Sequence, residues 1–347
     1  MRRKFNLMVL IFCMAMVALL AGCGQKEVSN STEQGGLEVK EITAWGVIDP
    51  QISAQQIIAK KMGFFKEEGL EVTNKLQQSG TEIGPMVAGG SAQVSFESTY
   101  TDISLASNNI PMTLIAPMAN IGGTQAVVAS SGLDINSAQD LEGLKIGMAP
   151  GSGVLIAIRK MADELGVDIN SFRFVKLQPA DQIIALEKGD IDLMACWEPW
   201  VSKAIALDGK ILFSGLKSYL PENKGDVNYL NFHTTLQVTN DMLKYPETLK
   251  AFLRALVKAT DYINNNREEA AAILSEELNI EKEELLGIMS RNIYSLQVDS
   301  DFVDGITEMA TFMKEMDNIS KIPQVLDFVD FSLLKEVDKD LVKVDLK

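Results

Sequence analysis

The chain has 347 residues, of which 46% are hydrophobic, and a formal net charge of −15 at pH 7. Such an acidic chain, with no run of Lys or Arg after Lys4, is poorly suited to binding nucleic acid. Two of the three cysteines, Cys13 and Cys23, belong to the N-terminal leader region, so Cys196 and the single histidine, His233, form no His/Cys cluster for a zinc site, and we expect neither a metal nor a cofactor. The length exceeds what one hydrophobic core usually holds, so two domains are the default expectation.

Residues 1–22 have the pattern of a lipoprotein signal peptide rather than of folded structure. Basic residues 2–4 precede an apolar run, and Leu-Ala-Gly at 20–22 leads to Cys23. This pattern resembles a bacterial lipobox, which implies cleavage before Cys23 and lipidation of its sulfur. An ordinary secretory signal or a single anchoring helix is the alternative. Residues 23–37 are polar and predict a flexible tether.

From residue 38 the chain alternates short apolar runs with amphipathic helices, which predicts α/β layers. The strands of a first block are EITAWGV, LEVTNKL, AQVSFES and IPMTLIAPM. A helix begins at Ser53, which has the spacing of a capping box with Gln56, and Gly63 marks its end. Two more helices follow at 81–88 and 99–107. Ligands of parallel α/β sheets gather at the carboxyl ends of the strands, which here are followed by polar residues.

A second block spans residues 123–237 and repeats the alternation. Its predicted strands are TQAVVASS, LKIGMAP, FRFVKL and IDLMAC, and TTLQVTN then leads back to the first block. The rest of the chain is predicted to be helical, beginning at Pro246 and continuing at 267–278, 281–293 and 303–317. The apolar stripes on these helices indicate packing rather than function.

Several motifs, in this order along the chain, resemble solute-binding proteins of the nitrate, sulfonate and taurine (NMT1-like) ABC-transporter family. They are GFFKEEGL at 63–70, DLEGLKIG at 140–147 followed by GS at 151–152, LEKGDID at 186–192 and FVDFSLL at 328–334. The resemblance implies a type II periplasmic-binding fold, in which two α/β lobes, each with a mainly parallel sheet flanked by helices, are joined by two crossing strands. Lobe 1 is then expected at 38–122 plus 238–347, and lobe 2 at 123–237.

The resemblance also implies a function. We expect a lipid-anchored, extracytoplasmic monomer that captures a small organic anion or zwitterion, such as a sulfonate or taurine, for an ABC permease of the cell membrane. Within the binding class, the alternatives are a ring compound (a thiamine pyrimidine precursor or riboflavin), nitrate or bicarbonate. Outside it, they are a pyrimidine-precursor synthase-like enzyme and a sensory surface lipoprotein. His233 and Cys196 offer too little for such catalysis, so we predict no catalytic residue.

Three strand-to-helix corners predict an oxyanion pocket. The strongest is PGSG at 150–153, where small residues allow a ligand to approach the backbone and a helix terminus favours negative charge. Ser152 could instead only cap its own helix. The resemblance places ligand contacts at the two corresponding corners of lobe 1. The predicted contacts at these corners are Gly151, Ser152, Gly153, Ser79, Gly80, Thr81, Ser98 and Thr99, with Thr81, Ser98 and Ser152 as donors.

Four further residues complete the predicted site. Gln51 should line the cleft rim, whereas Trp45 is predicted to lie in the core. In MACWEPWV at 194–201, Trp197 is predicted as a wall of the ligand site. Glu198 is predicted to pair with a cation on the ligand, with capping of the next helix as the alternative. His233 could bind the ligand at the hinge or be an ordinary buried histidine.

Overall fold

The computed structural model describes residues 36–77, 80–150 and 152–345, which form two β-sheets flanked by helices. The leader, Cys23 and nearly all of the predicted tether lie outside the described residues. The described strands are β1 (Glu41–Val47), β2 (Glu71–Gln77), β3 (Val94–Ser98), β4 (Met112–Asn120), β5 (Gln125–Ala129), β6 (Lys145–Met148), β7 (Arg173–Lys176), β8 (Leu193–Trp197), β9 (Lys210–Ser214), β10 (Lys217–Ser218), β11 (Gly225–Asp226), β12 (His233–Thr239) and β13 (Ile293–Tyr294).

Helices cover both sheets. The described α-helices are α1 (Ala54–Lys61), α2 (Phe64–Glu67), α3 (Gly80–Ala88), α4 (Thr99–Ser107), α5 (Val154–Leu165), α6 (Pro179–Lys188), α7 (Trp200–Ile205), α8 (Pro246–Asn265), α9 (Arg267–Leu278), α10 (Lys282–Met289), α11 (Ser300–Glu315) and α12 (Ser332–Val337). Among these residues, no helix is long and apolar enough to cross a membrane.

Both sheets are mixed in strand direction. The first has the order β13-β4-β12-β3-β1-β2 and the second the order β11-β10-β9-β5-β8-β6-β7. In the first, β1 runs parallel to β2 and β3, but β12 is antiparallel to both β3 and β4. The reason is that β12 begins at the same end of the first sheet at which β4 ends. The predicted α/β, two-sheet class is therefore confirmed, with more antiparallel pairing than a mainly parallel sheet would have.

The start of α1 differs from the prediction. Ser53 and Gln56 do not form a capping box, because the Ser53 hydroxyl accepts a hydrogen bond from the Val47 amide at 2.9 Å. This bond ties the start of the helix to the end of β1. Gly63, with φ of +79°, then separates α1 from α2, where the left-handed backbone favours glycine.

Helix α8 packs its apolar side against helices α1 and α2, and its Phe252 ring reaches Phe96 of the first sheet. Leu249, Phe252, Leu253 and Leu256 are fully buried, as predicted. Phe252 stacks on Phe65 of α2 with 4.8 Å between ring centroids. Burial of each side chain of this size contributes about 1.5–3 kcal/mol to folding stability, so the apolar side of α8 stabilises this part of the core.

The chain passes between the sheets twice, after Asn120 and again before His233. The two passages are tightly packed, because a Cβ on Gly122 would lie 2.1 Å from the Leu230 carbonyl oxygen. A Cβ on Gly123 would lie equally close to the carbonyl oxygen of Arg291. Strands before the first passage and after the second belong to the first sheet, and those between them to the second. The exact lobe limits stay a prediction.

Candidate ligand-binding site

The strand ends of both sheets meet at the crossing segments. In the first sheet, Ser98 at the end of β3 pairs with Thr234, next to the start of β12. In the second, Trp197 at the end of β8 pairs with Gln125, the first residue after the crossing. Since β6 runs parallel to β8, the loop that follows β6 leads to the same edge. These two polar edges make the space between them the candidate ligand site.

Gln51 joins the first edge to the crossing. Its side chain is 3% exposed, and its Oε1 accepts a hydrogen bond from the hydroxyl of Thr124. The preceding turn is held by Asp49, whose carboxylate accepts hydrogen bonds from the amides of Gln51 and Ile52 at 2.8 Å each. Burial raises the pKa of Asp49 to about 6. Gln51 is therefore buried and held by the protein, and its place at the cleft rim stays a prediction.

At the corner after β3, the hydroxyls of Ser98 and Thr99 do not cap the following helix. Ser98 is half-buried and its side chain makes no capping hydrogen bond to α4. Thr99 is 2% exposed, and its hydroxyl has no hydrogen-bond partner among the described residues. At the neighbouring corner, Ser79 lies outside the described residues, and Gly80 and Thr81 are described only as the first backbone residues of α3.

The corner after β6 supplies a helix terminus. Gly151 lies outside the described residues. Ser152 is 8% exposed, and its hydroxyl oxygen accepts from the Val154 amide at 3.4 Å, which is a weak capping bond. The hydroxyl hydrogen stays available to a ligand. Gly153 packs against Met309 of α11, since a Cβ there would lie 3.3 Å from the methyl carbon.

Glu198 is engaged within the protein. Its carboxylate is 2% exposed, accepts a hydrogen bond from the Ser202 amide at 3.0 Å and forms an ion pair with Arg291. The capping role considered for Glu198 is thus observed. No motif predicted the Arg291 pair, because 93 residues separate the partners along the chain. Trp197, half-buried beside it, packs on the small core that contains Cys196.

His233 has the surroundings of a buried histidine. It is 9% exposed, and its ring meets that of Phe302 edge-on at 4.9 Å between centroids. Burial lowers the pKa of His233 to about 4, although the nearby Asp299 acts in the opposite direction. The imidazole is therefore neutral at pH 7. It lies at the start of β12, one residue from the Ser98 pairing position.

The first sheet also carries a buried polar stripe that no sequence motif predicted. We define the polar stripe as Ser95, Glu97, Thr235 and Gln237 on the sheet with Asp102 on α4. Directly opposed residues of antiparallel strands share a face, and Ser95 opposes Gln237 as Glu97 opposes Thr235. The Thr235 hydroxyl donates to Asp102 at 2.6 Å. The only sequence signal was the alternation of polar and apolar residues in AQVSFES.

Trp45 adjoins the polar stripe on the same face. It lies opposite Ser95 in the β1–β3 pair and packs against the main core, as predicted. Lys75 of β2 places its ammonium 5.0 Å from the centre of the Trp45 ring.

Comparison with known proteins identifies related chains. The NMT1/THI5-like family matches residues 52–270, more than half of the chain. A Bacillus subtilis (strain 168) protein, provisionally named an aliphatic sulfonates-binding protein, is 27% identical over 94% of this chain and 96% of its own length. The taurine-binding periplasmic protein of Escherichia coli (strain K12) is 24% identical over 76% of this chain and 82% of its own.

The fold has solved counterparts. The periplasmic aliphatic sulphonate binding protein SsuA of Escherichia coli superposes with a TM-score of 0.69 at 14% identity, covering 83% of this chain and 91% of SsuA. Two yeast 4-amino-5-hydroxymethyl-2-methylpyrimidine phosphate synthases match a shorter part, 59% of this chain, at 23% identity. The binding-protein relatives confirm the prediction of a binding protein rather than an enzyme.

Proposed function

We propose, from the premise that the chain belongs to the NMT1/THI5-like family, that it is the lipid-anchored substrate-binding component of an ABC importer. Its ligand is a small organic anion or zwitterion of the sulfonate or taurine type, bound between the two sheets. The observation that carries the proposal is the convergence of the strand ends of both sheets on one crossing. Gln51 is bonded to Thr124, and the next residue, Gln125, pairs with Trp197.

The anionic end of the ligand is held by neutral donors. The α5 terminus presents a positive dipole end, with the Ser152 hydroxyl beside it. Ser98 and Thr81 on the opposite edge supply further hydroxyls. Oriented neutral donors in a dry cleft stabilise an anion without an opposing cation, which suits the strongly acidic chain. Trp197 covers the organic part of the ligand.

The anchor and the partner follow from the leader and the fold class. Cleavage before Cys23 and lipidation of its sulfur hold the protein at the outer side of the cell membrane, with residues 23–37 as the tether. Loss of the three basic residues of the leader changes the net charge from −15 to −18. Closure of lobe 1 (38–122 plus 238–347) on lobe 2 (123–237) reports the loaded state to the permease.

Titration calorimetry of the processed protein, purified in mild detergent, tests this function. We expect taurine or an alkanesulfonate to bind with a Kd at or below about 10 μM, a free energy near −7 kcal/mol, and nitrate, bicarbonate, riboflavin and a thiamine pyrimidine precursor to bind more weakly. The mass of the same sample should include a diacylglycerol on Cys23. Tight binding of a ring compound with no sulfonate binding would reject the ligand class, and an unmodified Cys23 would reject the anchor.

A further inference from the structure

The polar stripe contains buried polar atoms that the protein itself does not satisfy. Both carboxylate oxygens of Glu97 lack a partner of hydrogen-bonding geometry among the described residues, as do the Ser95 hydroxyl and both amide atoms of Gln237. All three side chains are at most 1% exposed. Leaving such a group unsatisfied costs about 1–3 kcal/mol, so several of them on one face indicate a role beyond packing.

The opposite face of the same strands shows the contrast. Phe96, between Ser95 and Glu97, points away from the polar stripe and lies 6.3 Å from the Phe252 ring of α8. A sheet that is covered on both faces and serves stability alone would carry apolar side chains on both faces. Strand β3 carries apolar side chains on one face only.

The charges around Glu97 have one sign. Burial first, and then the negative charge of Asp102, hold the pKa of Glu97 well above its ordinary value; Asp49 raises it further. The Thr101 hydroxyl and the Ser98 amide lie close enough to lower it in part. Burial alone raises the pKa of Asp102 to about 7. Two neighbouring carboxyl groups thus act on Glu97, and the Lys75 ammonium on the same face is placed over the Trp45 ring.

The carboxyl groups of Glu97 and Asp49 belong to the strand-end corners of the candidate site. Glu97 immediately precedes Ser98 at the carboxyl end of β3, and Asp49 holds the turn that positions Gln51. Thr99, with its unpartnered buried hydroxyl, follows on the same corner. The carboxyl group of Glu97 and the hydroxyl of Thr99, which lack a partner among the described residues, therefore lie next to the edge where the ligand is proposed to bind.

We infer that Glu97 binds a positively charged nitrogen of the ligand, which makes the ligand an amine-bearing organic anion rather than a simple anion. The inference rests on the proposed function and deepens it. The ammonium group lies at the first-sheet edge, against Glu97 and the Thr99 hydroxyl. The anionic group points across the cleft to the α5 terminus and Ser152. An ammonium donates up to three hydrogen bonds, which the Glu97 carboxylate oxygens and the Thr99 hydroxyl can accept.

Glu198, the carboxylate predicted from the sequence to bind a ligand amine, is the alternative to Glu97 as the amine partner. Its oxygens already serve Arg291 and the Ser202 amide, whereas those of Glu97 serve no described partner of normal geometry. A buried carboxylate without a partner gains more from an arriving ammonium than one that is already paired. The geometry therefore favours Glu97 over Glu198 as the amine partner.

Calorimetric titration with taurine and with ethanesulfonate, which lacks only the amine, tests the inference. For the wild-type protein we expect taurine to bind about 10- to 100-fold more tightly than ethanesulfonate, the range of a charged hydrogen bond. Glu97→Gln should abolish this preference by weakening taurine alone. Glu71→Gln, which removes an exposed carboxylate at the opposite end of the same sheet, should leave both affinities unchanged. Thermal unfolding should show that Glu97→Gln is folded, since it removes an unpaired buried carboxyl.

The possible results separate the two proposals. Equal affinities for the two ligands in wild type, or a taurine preference that survives in Glu97→Gln, would overturn the role of Glu97 and leave the sulfonate-binding function intact. Loss of the preference in Glu198→Gln but not in Glu97→Gln would assign the amine to the rival residue. Binding of neither ligand by the wild-type protein would instead reject the proposed function itself.

Discussion

His233 and Glu97 are buried titratable side chains whose pKa values burial shifts in opposite directions. His233 has a lowered pKa of about 4, and Glu97 has a pKa well above its ordinary value. Both lie next to strand ends that form the candidate site. A neutral His233 can donate from one ring nitrogen and accept at the other, so it can serve a ligand without adding charge to the cleft.

The lowered pKa of His233 predicts a specific pH dependence of stability. The unfolded chain binds a proton at its ordinary pKa of 6.5, but the folded protein does so only near pH 4. The contribution of His233 to stability is therefore complete above pH 6.5 and is lost as the pH falls through 4. The difference corresponds to about 3 kcal/mol.

Urea unfolding of wild type and His233→Gln at pH 7 and at pH 4 measures this contribution. On going from pH 7 to pH 4, wild type should lose about 3 kcal/mol of unfolding free energy relative to the variant. Asp49 and Asp102, whose pKa values are raised, act in the opposite direction in both proteins and cancel in the comparison. Parallel pH profiles for the two proteins would contradict the buried, neutral state of His233.

At the scale of elements, the crossing segments depend on glycine. Gly123 allows the crossing backbone to approach the carbonyl of Arg291, the residue whose side chain pairs with Glu198. A methyl group there would meet backbone, which has little freedom to move. The same contact thus positions the crossing and the Arg291 side chain.

Gly123→Ala should lower the unfolding free energy by about 3 kcal/mol or more, because the new Cβ would lie 2.1 Å from a carbonyl oxygen. Gly287→Ala is the matched control, since a Cβ at that position in α10 meets nothing within 4 Å. The control should be neutral or up to about 1 kcal/mol more stable, because alanine favours helix. Chemical denaturation measures both variants. Equal stabilities would show that the crossing can relax.

The accuracy of the sequence-based predictions differed between elements for physical reasons. Helix α9 occurs at the predicted 267–278, and most strands of the first sheet lie within two residues of their prediction, because local periodicity determines them. The Ser53 capping box was wrong because a tertiary contact with Val47 took its hydroxyl. The strand β9 was not predicted, and β10, β11 and β13 were missed because two residues are too few to show a period.

The candidate site shows the same division. Ser98, Ser152 and Trp197 could be placed at strand ends because each directly follows or ends an apolar run. The Arg291–Glu198 pair and the polar stripe depend on strand order and on which face each strand presents. Those features are properties of the folded sheet, and no local pattern in the chain encodes them.

For the molecule as a whole, the proposed function requires the strand edges of both sheets to contact the ligand at once. Side chains of α5 and α11 already link the two parts, with ion pairs of 2.7 Å for Arg159–Glu315 and Lys160–Glu308. Such partly exposed pairs contribute at most about 1 kcal/mol each. Under the proposed function, such weak pairs form as the cleft closes and break as it opens, and ligand binding supplies the remaining free energy of closure.

A crystal structure of the protein with taurine tests the central claim most directly. We predict taurine between the two edges, with its amine within hydrogen-bonding distance of Glu97 and its sulfonate at the α5 terminus beside Ser152. Trp197 should contact the two-carbon chain. Taurine bound outside the space between Ser98 and Trp197, or bound there with its sulfonate toward Glu97, would contradict the account.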